Sequence, residues 1–309
     1  MKIIFMGTPD FAVPILKALA DAGHEIVLAV TQPDKPKGRG NAVQFSAVKT
    51  AAVEMGIEVY QPRRIREEAC AAHLRTYEAE LFVVAAFGQI LSKEVLEIPK
   101  YGCINVHASL LPKYRGASPI QWAVINGEQV TGVTIQQMDV GIDTGDILDT
   151  IEVSLDQEET GGSLFTKLSQ AGARLCVQTA AHIKDGTVTR TKQDDTQATH
   201  VGMIKKEMGR IDWTREAAWI ERLVRGLNPW PSAYTSINGK TLKIWRAKVL
   251  ADIDSAQPGQ VVRADKHSLV VQTGKGQLSL LEVQLEGKKR MPVDAFLRGY
   301  PVGEGTHLE

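Results

Sequence analysis

The stretch YGCINVHASLLPKYRGASPIQW, residues 101–122, decides the fold prediction for this chain. Within it, Cys103–His107 alternates in side-chain character with a period of two, which predicts a β-strand with Asn105 and His107 on one face. Pro112 cannot donate to a β-ladder, so the strand is expected to end before it in a loop. The polar pair therefore lies near the carboxyl end of the strand, where open α/β sheets bind ligands.

An amide and an imidazole side by side suit attack on a carbonyl carbon. The amide of Asn105 can donate to a developing oxyanion, and His107 can donate to the same oxygen or move a proton. Ser109 shares the face, but no nucleophile-elbow glycine pattern surrounds it, so direct transfer between two bound substrates is favoured over a covalent enzyme intermediate. On this motif alone, a hydrogen-bonded core histidine beside a turn asparagine stays an open alternative.

The front part of the chain alternates strands and helices. Residues 2–6, 10–21 and 26–30 form a predicted βαβ unit, and residues 81–86 are apolar on both faces, as in a central parallel strand. The turn at residues 7–10 is not G-x-G-x-x-G, so a dinucleotide site is poorly supported. These patterns predict an α/β domain with a Rossmann-like, mostly parallel sheet and flanking helices.

A positively charged segment follows the second predicted strand. Residues 32–44 contain two prolines, two glycines and the cations Lys35, Lys37 and Arg39. This composition predicts a mobile loop without regular structure at the carboxyl end of a strand. A solvated connector is the alternative, but its position at the same sheet edge as the polar pair favours a binding role.

Short strands at regular spacing, separated by glycine turns, characterise the C-terminal third. They are predicted at residues 240–249, 259–263, 268–272 and 277–284. This spacing is typical of a small OB-like β-barrel, a fold whose face commonly holds nucleic acid. We predict a catalytic domain over residues 1–190, a polar linker over 191–205 and a C-terminal β-barrel domain over 206–307. Leu308 and Glu309 are interpreted as a cloning remnant and are excluded from the fold prediction.

Composition bounds the class of protein. The chain has 309 residues, 43% hydrophobic and 23% charged, which fits about two soluble domains. Cys70, Cys103 and Cys176 are odd in number and lack a CxxC pair, so neither a disulfide framework nor a zinc site is indicated. No apolar run is long enough to span a membrane. A cytoplasmic protein without a metal is expected.

Charge is distributed unevenly although the net charge is zero. From Lys205 to the end, 17 Lys and Arg residues oppose 12 Asp and Glu, whereas residues 1–204 hold 19 against 24. This division is expected if one part of the chain contacts a polyanion, although a small basic domain is also compatible with solubility alone. The candidate RNA-binding residues of this part are Lys205, Lys206, Lys288, Lys289 and Arg290.

Three segments resemble the folate-dependent formyltransferase family. They are the Asn-x-His-x-Ser-Leu-Leu-Pro segment at residues 105–112, the Gly-Ile-Asp-Thr-Gly loop at 141–145 and, less diagnostically, the Phe-Met-Gly-Thr-Pro-Asp-Phe-Ala run at 5–12. The resemblance covers essentially the whole chain. The N-terminal run and the C-terminal half are most similar to the members that formylate methionyl-tRNA.

The resemblance implies a reaction and a set of roles. The formyl group of 10-formyltetrahydrofolate, a co-substrate, would move to the amine of methionine on initiator tRNA, in an enzyme expected to be monomeric. Asn105 and His107 would bind the carbonyl oxygen as it becomes anionic. Asp143, which by its loop alone could simply cap a turn, would orient His107 and help to collect the amine's proton through a water. Arg39 in its basic loop would contact the tRNA acceptor arm.

The folate is expected to lie against two short segments of the chain. These are Phe87, Gly88 and Gln89, and Ser109, Leu110, Leu111 and Pro112. Sugar-nucleotide formyltransferases and formyltetrahydrofolate hydrolases share the three catalytic positions and stay alternatives, but neither needs a basic loop and a basic barrel. A third alternative is an RNA-binding protein with an inactive front domain.

Overall fold

The computed structural model describes residues 1–37, 42–250, 253 and 256–309, without the side chains of 35–37, 42 and 43. The chain forms two compact units. The first contains Met1–Pro119, Val130–Ser154 and Phe165–Val201, and the second contains Ile120–Gln129, Leu155–Leu164 and Gly202–Glu309. The expected division at residues 190 and 205 stays a prediction.

The described residues form the following elements. In chain order the strands are β1 (Lys2–Gly7), β2 (Glu25–Val30), β3 (Lys35–Lys37), β4 (Ala42–Gln44), β5 (Val59–Tyr60), β6 (Leu81–Ala85), β7 (Cys103–His107), β8 (Arg115–Gly116), β9 (Val130–Gln137), β10 (Ile147–Ser154), β11 (His200–Val201), β12 (Ala233–Ile237), β13 (Lys240–Val249), β14 (Val261–Ala264), β15 (Leu269–Gln272), β16 (Gln277–Leu285) and β17 (Met291–Pro292). The α-helices are α1 (Val13–Asp21), α2 (Ala47–Glu54), α3 (Glu68–Arg75), α4 (Lys93–Leu96), α5 (Pro119–Asn126), α6 (Gly161–Asp185), α7 (Ala217–Gly226) and α8 (Val293–Gly299). Short 3-10 helices cover Asp10–Ala12, Asp195–Gln197 and Lys206–Gly209.

The first unit is organised around a mixed sheet. Its strands lie in the order β10-β9-β7-β6-β1-β2-β5. The strands from β7 to β5 run parallel, whereas β9 pairs antiparallel with both β7 and β10. All five residues of β6 are buried, as its apolar sequence predicts for a central strand. The predicted mostly parallel α/β sheet is confirmed.

The segment at residues 32–44 differs from its prediction. Its described ends form an antiparallel pair, β3 with β4, in which Lys35 lies opposite Gln44. The expectation of a segment without regular structure is therefore wrong at these ends, because the Pro- and Gly-rich composition conceals a short two-strand pairing. Arg39 lies outside the described residues.

The stretch before the second unit makes ordered contacts. β11 pairs in parallel with β8, so that His200 lies opposite Arg115. The hydroxyl of Thr199 accepts a hydrogen bond of 2.8 Å from the backbone N–H of Tyr114. Residues that the sequence indicated as a polar linker are thus hydrogen-bonded to the second half of the 101–122 stretch.

The second unit contains the predicted C-terminal β-domain. Its strands lie in the antiparallel order β12-β13-β16-β15-β14, with β17 paired to β16. The strand β12 was not predicted. Leu308 is fully buried in the core of this unit, and the backbone N–H of Glu309 donates to the carbonyl oxygen of Ser236 at 3.0 Å. These two residues are therefore part of the fold of this unit, and their interpretation as a cloning remnant stays a prediction.

Candidate active site

Asn105 and His107 converge on Asp143 at the carboxyl edge of the parallel strands. The amide Nδ2 of Asn105 donates to Oδ1 of Asp143 at 3.4 Å, and Nδ1 of His107 lies 3.5 Å from the same oxygen. The period of two along β7 places both side chains on one face. His107 is buried, with 6% of its side chain exposed, and Asp143 has 13% exposed. The structure thus brings together the three predicted catalytic side chains.

The carboxylate of Asp143 is held by further donors. The backbone N–H of Gly116 donates to Oδ2 at 2.9 Å, and Nε2 of Gln136 donates to Oδ1 at 2.7 Å. Asp143 also has a φ of 55°, in the left-handed region, which Asp tolerates better than most residues. The amides of Asn105 and Gln136 and the backbone N–H of Gly116 thus fix the position of the carboxyl group by donating hydrogen bonds to it.

Gln136 contributes a group that sequence reasoning missed. It lies directly opposite Asn105 in the antiparallel pairing of β9 with β7, and 2% of it is exposed. Among the described residues, its buried Oε1 has no hydrogen-bond partner. Turning the amide round would place Oε1 against the carboxylate of Asp143, where two acceptors repel. The alternation of polar and apolar residues along β9 was the signal that could have identified Gln136, because it predicts which polar side chains share a face with Asn105.

The imidazole of His107 is fixed from its other side. Its Nε2 lies 2.9 Å from the backbone carbonyl oxygen of Tyr114, which can only accept a hydrogen bond. Nε2 therefore carries the proton, and Nδ1 is the nitrogen that faces Asn105 and Asp143. When the ring is protonated, Nδ1–H is a donor aimed at this shared position, and the carboxylate beside it stabilises the positive charge.

The loop between β9 and β10 is stabilised by hydrogen bonds among its own polar groups. Oδ1 of Asp139 accepts from the backbone N–H of Gly141 at 3.0 Å and from the hydroxyl of Thr144 at 2.7 Å. A Cβ atom at Gly145 would collide with the carbonyl oxygen of Gln137, so only glycine fits there. This tight turn returns the chain at Asp143 towards β7.

The first predicted folate segment is anchored by its side chains. The ring of Phe87 is buried in the core, whereas its carbonyl oxygen accepts from the hydroxyl of Thr8 at 3.1 Å. Gly88 has a φ of 81°. The amide of Gln89 accepts from the backbone N–H of Ile65 at 2.7 Å and donates to Pro62. What this segment presents to a ligand is therefore main chain and the exposed Gly88, rather than the side chains of Phe87 and Gln89.

The second predicted folate segment is also hydrogen-bonded internally. The hydroxyl of Ser109 is buried and donates to the carbonyl oxygen of Lys113 at 2.7 Å. Thr134 donates to the carbonyl oxygen of Ser109 at 2.7 Å and accepts from the backbone N–H of Leu111 at 3.1 Å. Leu111 is buried, whereas Leu110 and Pro112 are half-buried. These contacts give Ser109 a structural explanation that needs no nucleophilic role.

A pocket of about 920 Å³ lies at the ends of β1 and β2, and its lining residues do not include the three side chains that converge. Its lining combines Asp10 and Asp34 with Phe45 and Ser46. The cluster of Asn105, His107 and Asp143 is identified by its hydrogen-bond geometry and not by this pocket. Ile90, in the loop after β6, and Val140 and Ile142, in the loop after β9, are among the exposed large apolar side chains.

The predicted RNA-binding cations differ in their surroundings. Lys205, Lys206, Lys288 and Lys289 are exposed. Arg290 is exposed too, but it donates to Glu282 at 2.6 Å and lies 4.7 Å above the ring of Trp245. Lys35 and Lys37 lie in β3, whose side chains are outside the description, and Arg39 is outside it altogether.

The cysteines offer no activated thiol. All three are buried and free. Burial raises the pKa of the Cys103 thiol well above its ordinary value and raises the pKa of Cys176 to about 12. Within the described ranges, no group of three His, Cys, Asp or Glu residues could hold a metal ion. In the same ranges, no helix is long and apolar enough to cross a membrane.

Known proteins are similar to this chain in sequence and in architecture. The formyl transferase family profile matches residues 1–180, and the formyl transferase C-terminal domain profile matches residues 203–301. A methionyl-tRNA formyltransferase of Agathobacter rectalis is 60% identical over 306 residues, covering 99% of both chains. One of Lachnospira eligens is 55% identical over 313 residues, covering 100% of this chain and 99% of the other. The solved structure of WlaRD, a sugar 3N-formyl transferase in the presence of dTDP and 5-N-formyl-THF, has a TM-score of 0.67 at 20% identity, covering 94% of this chain and 99% of that one.

Proposed function

This chain belongs to the formyl transferase family, and we propose that it transfers the formyl group of 10-formyltetrahydrofolate to the amino group of methionine on initiator tRNA. The observation that carries the proposal is the convergence of Asn105 and His107 on Asp143, at 3.4 and 3.5 Å. The amine of the substrate is itself the nucleophile. No nucleophilic side chain is therefore required.

Asn105 and the Nδ1 side of His107 face the position that the formyl oxygen would occupy. As the amine attacks the formyl carbon, this oxygen gains negative charge, and the amide N–H and the protonated imidazole stabilise it by donating hydrogen bonds. The carbonyl oxygen of Tyr114 keeps the opposite nitrogen of His107 engaged at 2.9 Å. The ring is thus oriented before the substrates bind, which reduces the reorganisation needed during the reaction.

Asp143 takes part in the proton transfers that accompany the reaction. A new C–N bond forms at the amine and the C–N10 bond of the folate breaks, so the amine loses a proton and N10 gains one. The ionised carboxylate accepts the amine's proton through a water, and His107 is the group placed to return a proton to N10. Gln136 and the N–H of Gly116 support this role because they fix the carboxylate by hydrogen bonds of 2.7 and 2.9 Å.

The residues near the site are compatible with a folate. A pterin ring needs a flat apolar contact and main-chain groups that pair with its ring nitrogens. The exposed side chains of Ile90 and Val140 would supply the first. The main chain of 87–89 would supply the second, although the carbonyl oxygens of Phe87 and Gly88 also accept from Thr8 and Gln32. The folate supplies the activated formyl group, and the protein residues position and polarise it.

Two properties support a tRNA as the formyl acceptor. The relatives that match along the whole chain at 60% and 55% identity are methionyl-tRNA formyltransferases. The second unit presents exposed lysines at 288 and 289, and the residues from Lys205 onward carry 17 cations against 12 anions. A polyanion binds through such cations with release of counterions, whereas a nucleotide sugar needs no extended basic surface.

The test offers 10-formyltetrahydrofolate with three acceptors: methionyl initiator tRNA, a dTDP-linked amino sugar and water alone. We expect formyl transfer to the charged tRNA to exceed the other two rates by at least about a thousandfold in kcat/KM, because only the tRNA uses the basic surface. Uncharged tRNA is the matched control, since it keeps the phosphates but lacks the amine. Faster transfer to the amino sugar or to water would overturn the assignment of the acceptor.

A further inference from the structure

Gln193 lies fifty residues after Asp143 in the chain but contacts the loop that carries it. Its Nε2 donates to the carbonyl oxygen of Asp143 at 2.9 Å and to that of Gly145 at 2.7 Å. The residue is 6% exposed. Two hydrogen bonds from one amide nitrogen therefore join the two sides of the turn at Asp143.

The other end of the Gln193 side chain is held by a buried cation. Oε1 of Gln193 accepts from Nε of Arg115 at 3.1 Å and from Nη2 of Arg115 at 2.8 Å. Arg115 is 4% exposed, and its Nη2 also donates to Asp195 at 2.6 Å. Each hydrogen-bonding position of the Gln193 amide is used, so the amide has one orientation and one location.

Arg115 also lies between the two residues whose backbone contacts the catalytic pair. On one side, the carbonyl oxygen of Tyr114 accepts from His107, and on the other, the N–H of Gly116 donates to Asp143. The 193–201 segment fixes this stretch, because the N–H of Arg115 donates to Thr199 at 2.8 Å and that of Ala117 donates to Val201 at 3.0 Å.

We infer that Gln193, anchored by Arg115, is a positioning residue for the transfer reaction and sets the location of the Asp143 carboxylate relative to His107. The inference rests on the proposed function. Its physical basis is that Asp143 has a left-handed backbone and no regular secondary structure to fix it. Displacement of a reacting group by about 1 Å can lower a rate by a factor of about a hundred.

Three variants separate this role from simple stabilisation. Gln193→Leu removes both sets of hydrogen bonds. Gln193→Glu keeps an acceptor for Arg115 but replaces the donor to Asp143 and Gly145 by an oxygen that repels their carbonyls. Asp195→Ala removes only the contact at the exposed end of Arg115, where the Asp195 side chain is 76% exposed, and is the matched control.

We expect Gln193→Leu and Gln193→Glu to lower kcat by about tenfold to a hundredfold, with KM for folate and for tRNA within about threefold of wild type. Asp195→Ala should keep kcat within about threefold. In an Asp143→Asn background, Gln193→Glu should lower the residual kcat by less than about threefold, because a residue that acts through Asp143 has no further effect once that carboxylate is absent. If Gln193→Leu does not fold, Gln193→Glu decides the question alone.

Wild-type kcat in Gln193→Glu, or full additivity with Asp143→Asn, would overturn the positioning role. A readout without activity separates this outcome from failure of the proposed function: the ring nitrogen signals of His107 in an NMR spectrum of the full-length protein. They should move in Gln193→Glu and stay in place in Asp195→Ala. If the wild type transfers no formyl group to tRNA, the proposed function fails, and unchanged His107 signals in Gln193→Glu would independently reject the positioning role.

Discussion

Nδ1 of His107 lies 3.5 Å from Oδ1 of Asp143, and this pair is fixed from both of its outer sides. Tyr114 accepts from the far nitrogen of the imidazole, and Gly116 donates to the far oxygen of the carboxylate. Two residues of one short segment therefore contact an imidazole–carboxylate pair whose members are 36 positions apart in the chain.

Ser109 is predicted to be dispensable for the chemical step. Its hydroxyl donates to the carbonyl oxygen of Lys113, so Ser109→Ala should lower the free energy of unfolding by about 1 kcal/mol. Because the substrate amine is the nucleophile, kcat should stay within about fivefold of wild type. Steady-state formylation and thermal unfolding measure the two quantities. A loss of kcat by a factor of a thousand or more would indicate a covalent intermediate on Ser109 and contradict direct transfer.

Asp34 is predicted to stabilise the first unit in a pH-dependent way. Hydrogen bonds from Lys49, and then from Gln61, lower the pKa of the Asp34 carboxyl below its ordinary value. A folded-state pKa below the unfolded one gives stability that is complete above the unfolded value, near pH 4, and is lost as the pH falls through the folded value. The melting temperature of Asp34→Asn should thus lie below that of wild type at pH 7, and the difference should shrink below about pH 4.

The exposed Asp21→Asn serves as the control for this experiment, since Asp21 lies at the solvent-facing end of α1. A difference between Asp34→Asn and wild type that stays constant from pH 7 to pH 3 would show that the interaction of Asp34 with Lys49 does not depend on the ionised carboxylate.

Arg39 is predicted to contact the tRNA rather than the folate. It lies in the sequence between β3 and β4, which pair directly after β2 in the chain. Arg39→Ala should raise KM for methionyl-tRNA by about tenfold, as expected for the loss of one or two charge-assisted hydrogen bonds, and leave folate affinity unchanged. The exposed Lys184→Ala is the control. Equal KM values for tRNA in Arg39→Ala and wild type would reject this contact.

Lys288 and Lys289 are predicted to bind phosphates of the tRNA. Each phosphate contact that is lost should reduce the slope of log affinity against log salt by about 0.7 to 0.9. The double variant Lys288→Gln with Lys289→Gln should show this reduction in the full-length protein. Arg290→Gln should change the slope less, because its guanidinium already pairs with Glu282 and lies over Trp245. Identical slopes for the double variant and wild type would show that these lysines are solvated and make no phosphate contact.

The sequence predicted those parts of the site that depend on local periodicity. Asn105 and His107 share a face because a strand has a period of two, and that rule needs no knowledge of the rest of the chain. Asp143 was different, because its loop alone fits a turn cap, and only the resemblance to known formyltransferases gave it a catalytic role. Its catalytic role, like that of Asn105 and His107, stays a prediction until variants are measured.

Contacts between distant segments were the part that the sequence did not disclose. Gln193 lies in a polar stretch that looks like a linker, and its bonds to Asp143 and Gly145 depend on tertiary structure. Leu308 was excluded from the fold prediction as a cloning remnant, and its burial in the second unit likewise depends on tertiary contacts. For the sheet, only the mostly parallel class was predicted and not the strand order, because strand pairing depends on chain crossovers that no local pattern specifies.

The measurement that tests the central claim most directly is the single-turnover rate of formyl transfer to methionyl-tRNA, with both substrates saturating. Wild type is compared with Asn105→Ala and with His107→Ala, and folate affinity is measured separately for each protein. We expect each substitution to lower the rate by about a hundredfold to a thousandfold, since each removes one donor to the developing oxyanion, while folate affinity stays within severalfold of wild type. Near wild-type rates in both variants would contradict the account.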